Sequence, residues 1–84
     1  MICFTENAWE DYLFWQQNEP QKVIRVQELL KAITREPFKG IGKPEPLKGN
    51  LSGWWSRRID LEHRLVYKME NKNVIILQCR FHYN

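Results

Sequence analysis

The hydrophobic positions change their spacing along the chain, and this change separates a helical part from a strand part. Between residues 6 and 35 apolar side chains recur every three to four positions, which is the period of an amphipathic helix. From residue 54 onward they alternate with polar side chains, which is the period of a strand. The pattern therefore predicts two kinds of element in succession, an order that is typical of α+β proteins.

The first part of the chain predicts a short strand followed by a helical hairpin. Residues 2–4 form the strand, and Thr5 or Asn7 can cap the first helix. The buried face of this helix is predicted to hold Ala8, Trp9, Tyr12, Leu13 and Gln16. A second helix begins near Pro20, since proline is tolerated in a first turn, and runs to about Arg35. Its apolar face comprises Val23, Val26, Leu29, Leu30 and Ile33.

Residues 36–50 interrupt any regular element, because they contain three prolines and three glycines. We therefore predict a long, stiffened loop without regular structure. It carries four charged side chains after its first residue: Lys39, Lys43, Glu45 and Lys48. Long loops inside small domains are often functional, and the alternative is a plain surface crossover between the two parts.

Three antiparallel strands are predicted after the loop, at residues 54–59, 63–69 and 74 to about 81. Alternation directs one apolar set toward the helices: Trp55, Ile59, Leu65, Tyr67, Met69, Ile75, Leu77, Cys79 and Phe81. The opposite set forms an open and basic face: Trp54, Ser56, Arg58, Arg64, Val66, Lys68, Gln78, Arg80 and His82. The predicted fold is a two-layer β-α-α-β-β-β arrangement, in which a two-helix hairpin packs on a small antiparallel sheet.

Composition fits one small domain that spans residues 1–84. A hydrophobic fraction of 43% and a charged fraction of 27% favour a packed core over disorder. No apolar run approaches the ~20 residues that cross a bilayer, so we expect a cytoplasmic protein without a membrane partner. The two cysteines form no CxxC pair. A zinc site from Cys3, His63, Cys79 and His82 is an alternative whose spacing matches no ligand pattern, and we expect no metal or other cofactor.

Charge is distributed unevenly along the chain. Residues 1–20 carry four acids and no Lys or Arg, whereas residues 21–84 carry all 13 basic residues and six acids. A polyanion such as RNA would approach the second part. The alternative is that this positive charge only keeps the chain in solution.

Five side chains could together perform acid–base chemistry on RNA. Arg58, Arg64 and His82 share the basic face, and Glu45 joins them if the loop folds over it. Glu45 would take the proton of a 2′-hydroxyl, the arginines would neutralise the phosphate, and His82 would protonate the leaving 5′-oxygen, all without a metal. Arg80 could converge on the same phosphate. The alternative is that these residues have no catalytic role. The arginines would then be solvated or paired with acids, and His82 would belong to a frayed chain terminus.

At these residues the chain resembles the YoeB toxins of the RelE/ParE superfamily, in the segments KPEPLKGNLSGWWSRRI, EHRLVY and CRFHY. The resemblance spans nearly the whole chain and implies a RelE-like microbial RNase fold. It also implies a bacterial type II toxin that cleaves mRNA in the ribosomal A site. On this resemblance the general base is Glu45, the phosphate-binding arginines are Arg58 and Arg64, the general acid is His82, and the tail tyrosine is Tyr83.

The resemblance implies the partners as well. These are a YefM-type antitoxin of the Phd/YefM family, the 70S ribosome with its mRNA, and operator DNA only through the antitoxin complex. Homodimerisation is also compatible with this family. Further contacts to RNA or the ribosome are assigned to Lys43, Lys48, Trp54, Arg57, Lys68 and Arg80.

Tyr83 conflicts with strand alternation, because a regular strand would point it away from His82. Either the strand ends early and the tail curls, or Tyr83 packs against the protein instead of stacking on a base. Two rival functions also stay open. One is a non-catalytic module such as the ParE-type proteins that act on DNA gyrase, and the other is an RNA-binding domain that cuts nothing.

Overall fold

The computed structural model describes residues 1–83 and has two helices packed on one face of a five-stranded sheet. The elements are β1 Ile2–Phe4, α1 Glu6–Asn18, α2 Pro20–Arg35, β2 Glu45–Pro46, β3 Trp55–Arg58, β4 Arg64–Glu70 and β5 Asn73–Gln78. One turn of 3₁₀ helix, Gly49–Leu51, connects β2 to β3. The predicted α+β, two-layer architecture is confirmed.

The strands follow the order β1-β5-β4-β3-β2, and two details differ from the prediction. First, β1 lies parallel to β5, with Ile2 opposite Val74, so the sheet is mixed instead of antiparallel. Second, β2 falls within the stretch that was predicted to be irregular. Prolines flank Glu45 and cannot donate to a ladder, and an edge strand is the position where a sheet tolerates them.

The buried faces of the two helices are those that contact the sheet. The face of α2 is confirmed, since Val26, Leu29 and Ile33 are fully buried. The face predicted for α1 was only partly right, since Ala8 is buried and Tyr12 packs against the core, but Trp9 is 48% exposed and Gln16 is exposed. In their place the helix buries Asp11 and Trp15. Polar bonds to β5 fix this rotation, as described below. No helix within residues 1–83 has the length and hydrophobicity needed to cross a bilayer.

Strand β5 faces the helices with a different set of residues from the one predicted. Val74 and Ile76 are buried in the core, in place of Ile75 and Leu77. Val66 pairs with Gln78 while the adjacent Tyr67 pairs with Ile76, so β5 carries an extra residue at position 77. A bulge of this kind reverses the alternation, which is why Cys79 returns to the core. Phe81, which was predicted in the core, lies beyond the strand and is 52% exposed.

Candidate active site

Glu45 is held at the edge of the sheet face that points away from the helices. Its partner in the neighbouring strand is Ser56, and Ser56 in turn pairs with Val66. The preceding loop is fastened to β3, where the Arg58 N–H donates to the Gly42 carbonyl at 2.7 Å. Gly42 has φ +83°, and a Cβ there would lie 2.8 Å from a methyl of Leu29, so only glycine fits. Glu45 itself stays exposed to solvent.

Arg57 fixes the same loop from the helical side of the sheet, which corrects its assignment to RNA binding. Its side chain is 0% exposed. The guanidinium donates to the carbonyls of Glu36 and Lys39, both at 2.7 Å, and of Ile41 at 3.1 Å. Its Nε donates to the hydroxyl of Tyr67, which donates in turn to a loop carbonyl. Arg57 lies between Trp55 and Ile59 in the alternation, so strand parity assigns it to the core face.

The C-terminal tail curls back over the sheet, as the first alternative for Tyr83 requires. Strand β5 ends at Gln78, and Phe81 adopts a left-handed backbone with φ 65°. The Phe81 carbonyl accepts the Arg64 N–H at 2.9 Å, which brings the tail to β4. Ser56 and Val66 point away from the helices yet are buried, so the centre of the predicted open face is covered.

A cavity of about 400 Å³ joins the tail to the loop. Its lining consists of Glu45, Pro46, Leu47, Lys48, Leu51 and Tyr83. The ring of Tyr83 stacks on the ring of His82, with centroids 4.6 Å apart and an angle of 25° between the planes. His82 is exposed, and its Nδ1 lies 2.9 Å from the Tyr83 carbonyl. Tyr83 therefore contacts both the cavity of Glu45 and the imidazole of His82.

Two arginines occupy directly opposite positions on β3 and β4. Arg58 pairs with Arg64 across the strands and is exposed, and within residues 1–83 no hydrogen bond or ion pair engages its guanidinium. Arg64 is 8% exposed, and its Nη1 donates to the carbonyls of three positions in the preceding loop: Asp60 at 3.0 Å, Leu61 at 3.3 Å and His63 at 3.1 Å. One guanidinium is thus held rigidly, and the other is free to meet an anion.

The acids nearest to these arginines in sequence do not neutralise them. Burial acts to raise the pKa of Asp60, but the N–H groups of His63 and Glu62 and the ammonium of Lys22 lower it to about 2. The Lys22 ammonium lies 2.7 Å from the carboxylate. Because Asp60 is committed to Lys22 and to the backbone of its own loop, the positive charge of the arginines stays available.

The remaining residues that we assigned to RNA are distributed over two surfaces. Lys68 lies over the ring of Trp54 at 4.8 Å, on the face of the sheet that carries Glu45. Lys43 and Lys48 are exposed in the loop. Arg80 does not share this face: its guanidinium carbon lies 3.3 Å above the ring of Phe14 on α1. Strand β5 ends at Gln78, so Arg80 lies beyond the strand, where alternation no longer determines its direction, and this corrects its place on the basic face.

Two buried titratable groups lie on α1 and directly after β5; the burial of Cys79 was predicted, and that of Asp11 was not. Burial raises the pKa of the Asp11 carboxyl, while the Cys79 N–H and the charges of Arg80 and His63 oppose the rise. Burial, and then the charge of Asp11, raise the pKa of the Cys79 thiol to about 12, so this thiol is no nucleophile. The spacing of Ala8, Asp11 and Trp15 is that of one helix face, and this signal could have identified Asp11. Within residues 1–83 no three His, Cys, Asp or Glu side chains form a metal-binding group.

Comparisons with known proteins point to one family. The family model described as YoeB-like toxin of bacterial type II toxin-antitoxin system matches residues 4–83. Toxin YoeB of Synechocystis is 60% identical over 98% of this chain and 95% of its own length. The heterotetrameric YoeB–YefM complex from Staphylococcus aureus has a chain with a TM-score of 0.93 and 49% identity, covering 99% of this chain and 97% of that one. The YoeB dimer from the same organism gives 0.91 and 49%, covering 98% and 95%.

Proposed function

This chain belongs to the YoeB-like toxins of bacterial type II toxin–antitoxin systems, and from that membership we propose that it is a ribosome-dependent endoribonuclease. It cuts mRNA in the ribosomal A site and so stops translation. One observation carries the proposal: Tyr83 joins the cavity that holds Glu45 to the stacked ring of His82. Arg58, whose guanidinium has no partner within residues 1–83, lies on the same face of the sheet as Glu45. In the proposed site a base, an acid and a cation would flank the phosphodiester.

The proposed reaction uses the RNA's own 2′-hydroxyl as the nucleophile. Glu45 takes the 2′-OH proton while the 2′-oxygen attacks phosphorus and the bond to the 5′-oxygen breaks. His82, in its protonated form, gives a proton to that leaving oxygen. The products are a 2′,3′-cyclic phosphate and a free 5′-hydroxyl, and every bond and proton is accounted for without a metal.

The arginines supply the electrostatic part of this mechanism. Charge accumulates on the phosphate oxygens in the transition state, and donors already fixed in place stabilise it most. Arg64, tied to three carbonyls, fits that role, while the exposed side chain of Arg58 can close onto the phosphate. Tyr83 fits a positioning role, since its stacking limits the orientation of the imidazole of His82.

We expect dependence on the ribosome because the chain alone offers few contacts that could hold mRNA. Glu45 and His82 are both exposed, and the cavity between loop and tail is open and small. A site of this kind cannot hold flexible mRNA in line for attack, so the ribosome would supply the orientation. Lys43, Lys48 and Lys68 are suited to contact the RNA or the ribosomal backbone.

The proposed protein partners fit the charge of the surface. The relatives include a YoeB–YefM complex and a YoeB dimer, and we extend both modes of assembly to this chain. An acidic, partly disordered antitoxin would cover the exposed cations of the loop and of Arg58. Operator DNA would be bound only through that complex. The alternative function, a non-catalytic binding module, is less favoured. Binding alone does not require that one tyrosine contact both the cavity of a carboxylate and the ring of an imidazole.

The experiment that tests the function is a comparison of two mRNAs in a purified translation system. One mRNA is unmodified, and the other carries a single 2′-deoxynucleotide on the 5′ side of the mapped cleavage position. We expect the chain to cut the first and to leave the second intact at that position, because the nucleophile is missing. Equal cleavage of both messages, or of neither, would overturn the proposal.

A further inference from the structure

The backbone between β5 and the catalytic tail is held by side chains from elsewhere in the fold. At Cys79 the N–H donates to Asp11 at 3.0 Å, and the carbonyl accepts the indole N–H of Trp15 at 2.7 Å. The side-chain amide of Gln78 donates to the carbonyls of Arg80 at 2.9 Å and of Phe81 at 3.3 Å. The sheet has already ended here, so these bonds set the direction in which the tail leaves.

Phe81 is the residue at which the tail turns. Its φ of 65° lies in the left-handed region, which is unfavourable for a residue other than glycine. The side chain is 52% exposed, so burial does little to hold this conformation. Instead both backbone groups are bound: its carbonyl accepts the Arg64 N–H at 2.9 Å, and its N–H donates to Nδ1 of His63 at 2.7 Å.

The bond to His63 specifies which form of the imidazole is present. A backbone N–H can only donate, so Nδ1 must be the unprotonated nitrogen. The proton of the neutral ring is then on Nε2, which faces a Glu62 carboxylate oxygen at 3.6 Å. The ring packs edge-on against Trp15, with centroids 4.9 Å apart at 84°, and this contact fixes its orientation.

We propose that His63 is a positioning residue of the active site, whose neutral Nδ1 holds the turn at Phe81 and thereby keeps His82 and Tyr83 beside Glu45. The inference rests on the proposed function. His63 touches neither RNA nor a reacting atom and acts only through the backbone of Phe81. When Nδ1 takes up a proton it becomes a donor, and the N–H of Phe81 loses its acceptor.

The charged groups around His63 come from every element that packs on it. Asp11 of α1 interacts with both His63 and Arg80 of the tail. In the loop, Glu62 faces Nε2, and Asp60 accepts the N–H of His63 itself at 2.6 Å. Asp60 is in turn paired with Lys22 of α2.

Three substitutions at one position test this role, because they place an acceptor differently. The side-chain oxygen of Asn can occupy the place of Nδ1, that of Gln reaches the place of Nε2, and Ala has none. All three lose the packing of the ring on Trp15, so a purely structural effect would be common to them. On ribosomes we expect His63→Asn to keep kcat within roughly threefold of wild type, and His63→Gln and His63→Ala to lose roughly 10- to 100-fold, with KM unchanged.

A pH series separates His63 from the titration of the catalytic groups. Glu45 and His82 are present in both wild type and His63→Asn, so their contribution cancels in the ratio of the two rates. We expect the wild-type rate divided by the His63→Asn rate to fall as the pH is lowered from about 8 to about 5.5. The reason is that a proton can occupy the acceptor at position 63 only in the wild type. A ratio that stays constant over this range would overturn the proposal.

Two further results bear on the inference. If His63→Asn is as slow as His63→Gln, or if all three variants match the wild type, His63 does not position the tail. The amide resonance of Phe81 in a ¹H–¹⁵N spectrum gives a readout that needs no ribosome. It should stay downfield in His63→Asn and move upfield in His63→Gln. If the wild type cuts no mRNA while the Phe81 resonance of the two variants behaves as expected, the proposed function is wrong and the positioning role of His63 stands.

Discussion

Glu45→Gln is expected to slow mRNA cleavage on ribosomes by roughly 10²- to 10⁴-fold, the usual contribution of one general base. The amide keeps the shape of the side chain but cannot accept the proton of the 2′-hydroxyl. Because the substitution removes a negative charge beside Lys48, binding of the ribosome–mRNA complex should not weaken. The loss should therefore appear in kcat, and not in KM, in a single-turnover assay with saturating programmed ribosomes.

Glu10→Gln is the matched control for this change. Glu10 is an exposed carboxylate on α1 outside the cavity that Glu45 lines, and within residues 1–83 no hydrogen bond or ion pair engages its side chain, so the change in net charge is the same. We expect its cleavage rate to stay near that of the wild type and both variants to melt like it. A similar loss of rate in the two variants would mean that charge, and not proton transfer, explains the role of Glu45.

Arg57→Ala is expected to reduce the free energy of unfolding by about 3 kcal/mol or more, which is a large share of the stability of a small domain. The substitution leaves the loop carbonyls of Glu36, Lys39 and Ile41 without their donor and opens a void beside Tyr67. Urea denaturation of the purified protein measures the change.

The neighbouring Arg58→Ala serves as the control for Arg57. Its side chain is exposed, so we expect the free energy of unfolding to change by less than about 0.5 kcal/mol. The same variant should nevertheless lose cleavage activity, since its guanidinium is assigned to the phosphate. If Arg57→Ala were as stable as the wild type, the loop would not depend on this side chain. If Arg58→Ala were unstable, the division of roles between the two arginines would be wrong.

Hydrophobic periodicity predicted the elements well and their faces less well. The limits of α2 and its buried face followed from helical spacing and from proline at its start. The rotation of α1 did not, because it is set by bonds from Asp11 and Trp15 to Cys79, 68 and 64 residues away in the chain. Side-chain spacing carries no information about a partner that distant.

The site could be predicted in its residues but only partly in its geometry. The resemblance to the family is confirmed, and the catalytic roles taken from it stay predictions. Strand alternation failed for Val74 and Ile76 because an extra residue at position 77 cannot be read from a continuous apolar run, and it failed for Arg80 because the strand ends before that residue. The curl of the tail depends on a left-handed residue, Phe81, which no local signal such as glycine announces.

The most direct test of the division between base and acid is an mRNA in which sulfur replaces the bridging 5′-oxygen at the cleavage position. A thiolate leaves without being protonated, so a missing general acid no longer matters. We predict that His82→Ala cuts this message within about threefold of the wild-type rate while it stays slow on the normal one, and that Glu45→Gln is slow on both. If His82→Ala gains nothing from the sulfur, or if Glu45→Gln is rescued by it, the assignment of these two side chains is contradicted.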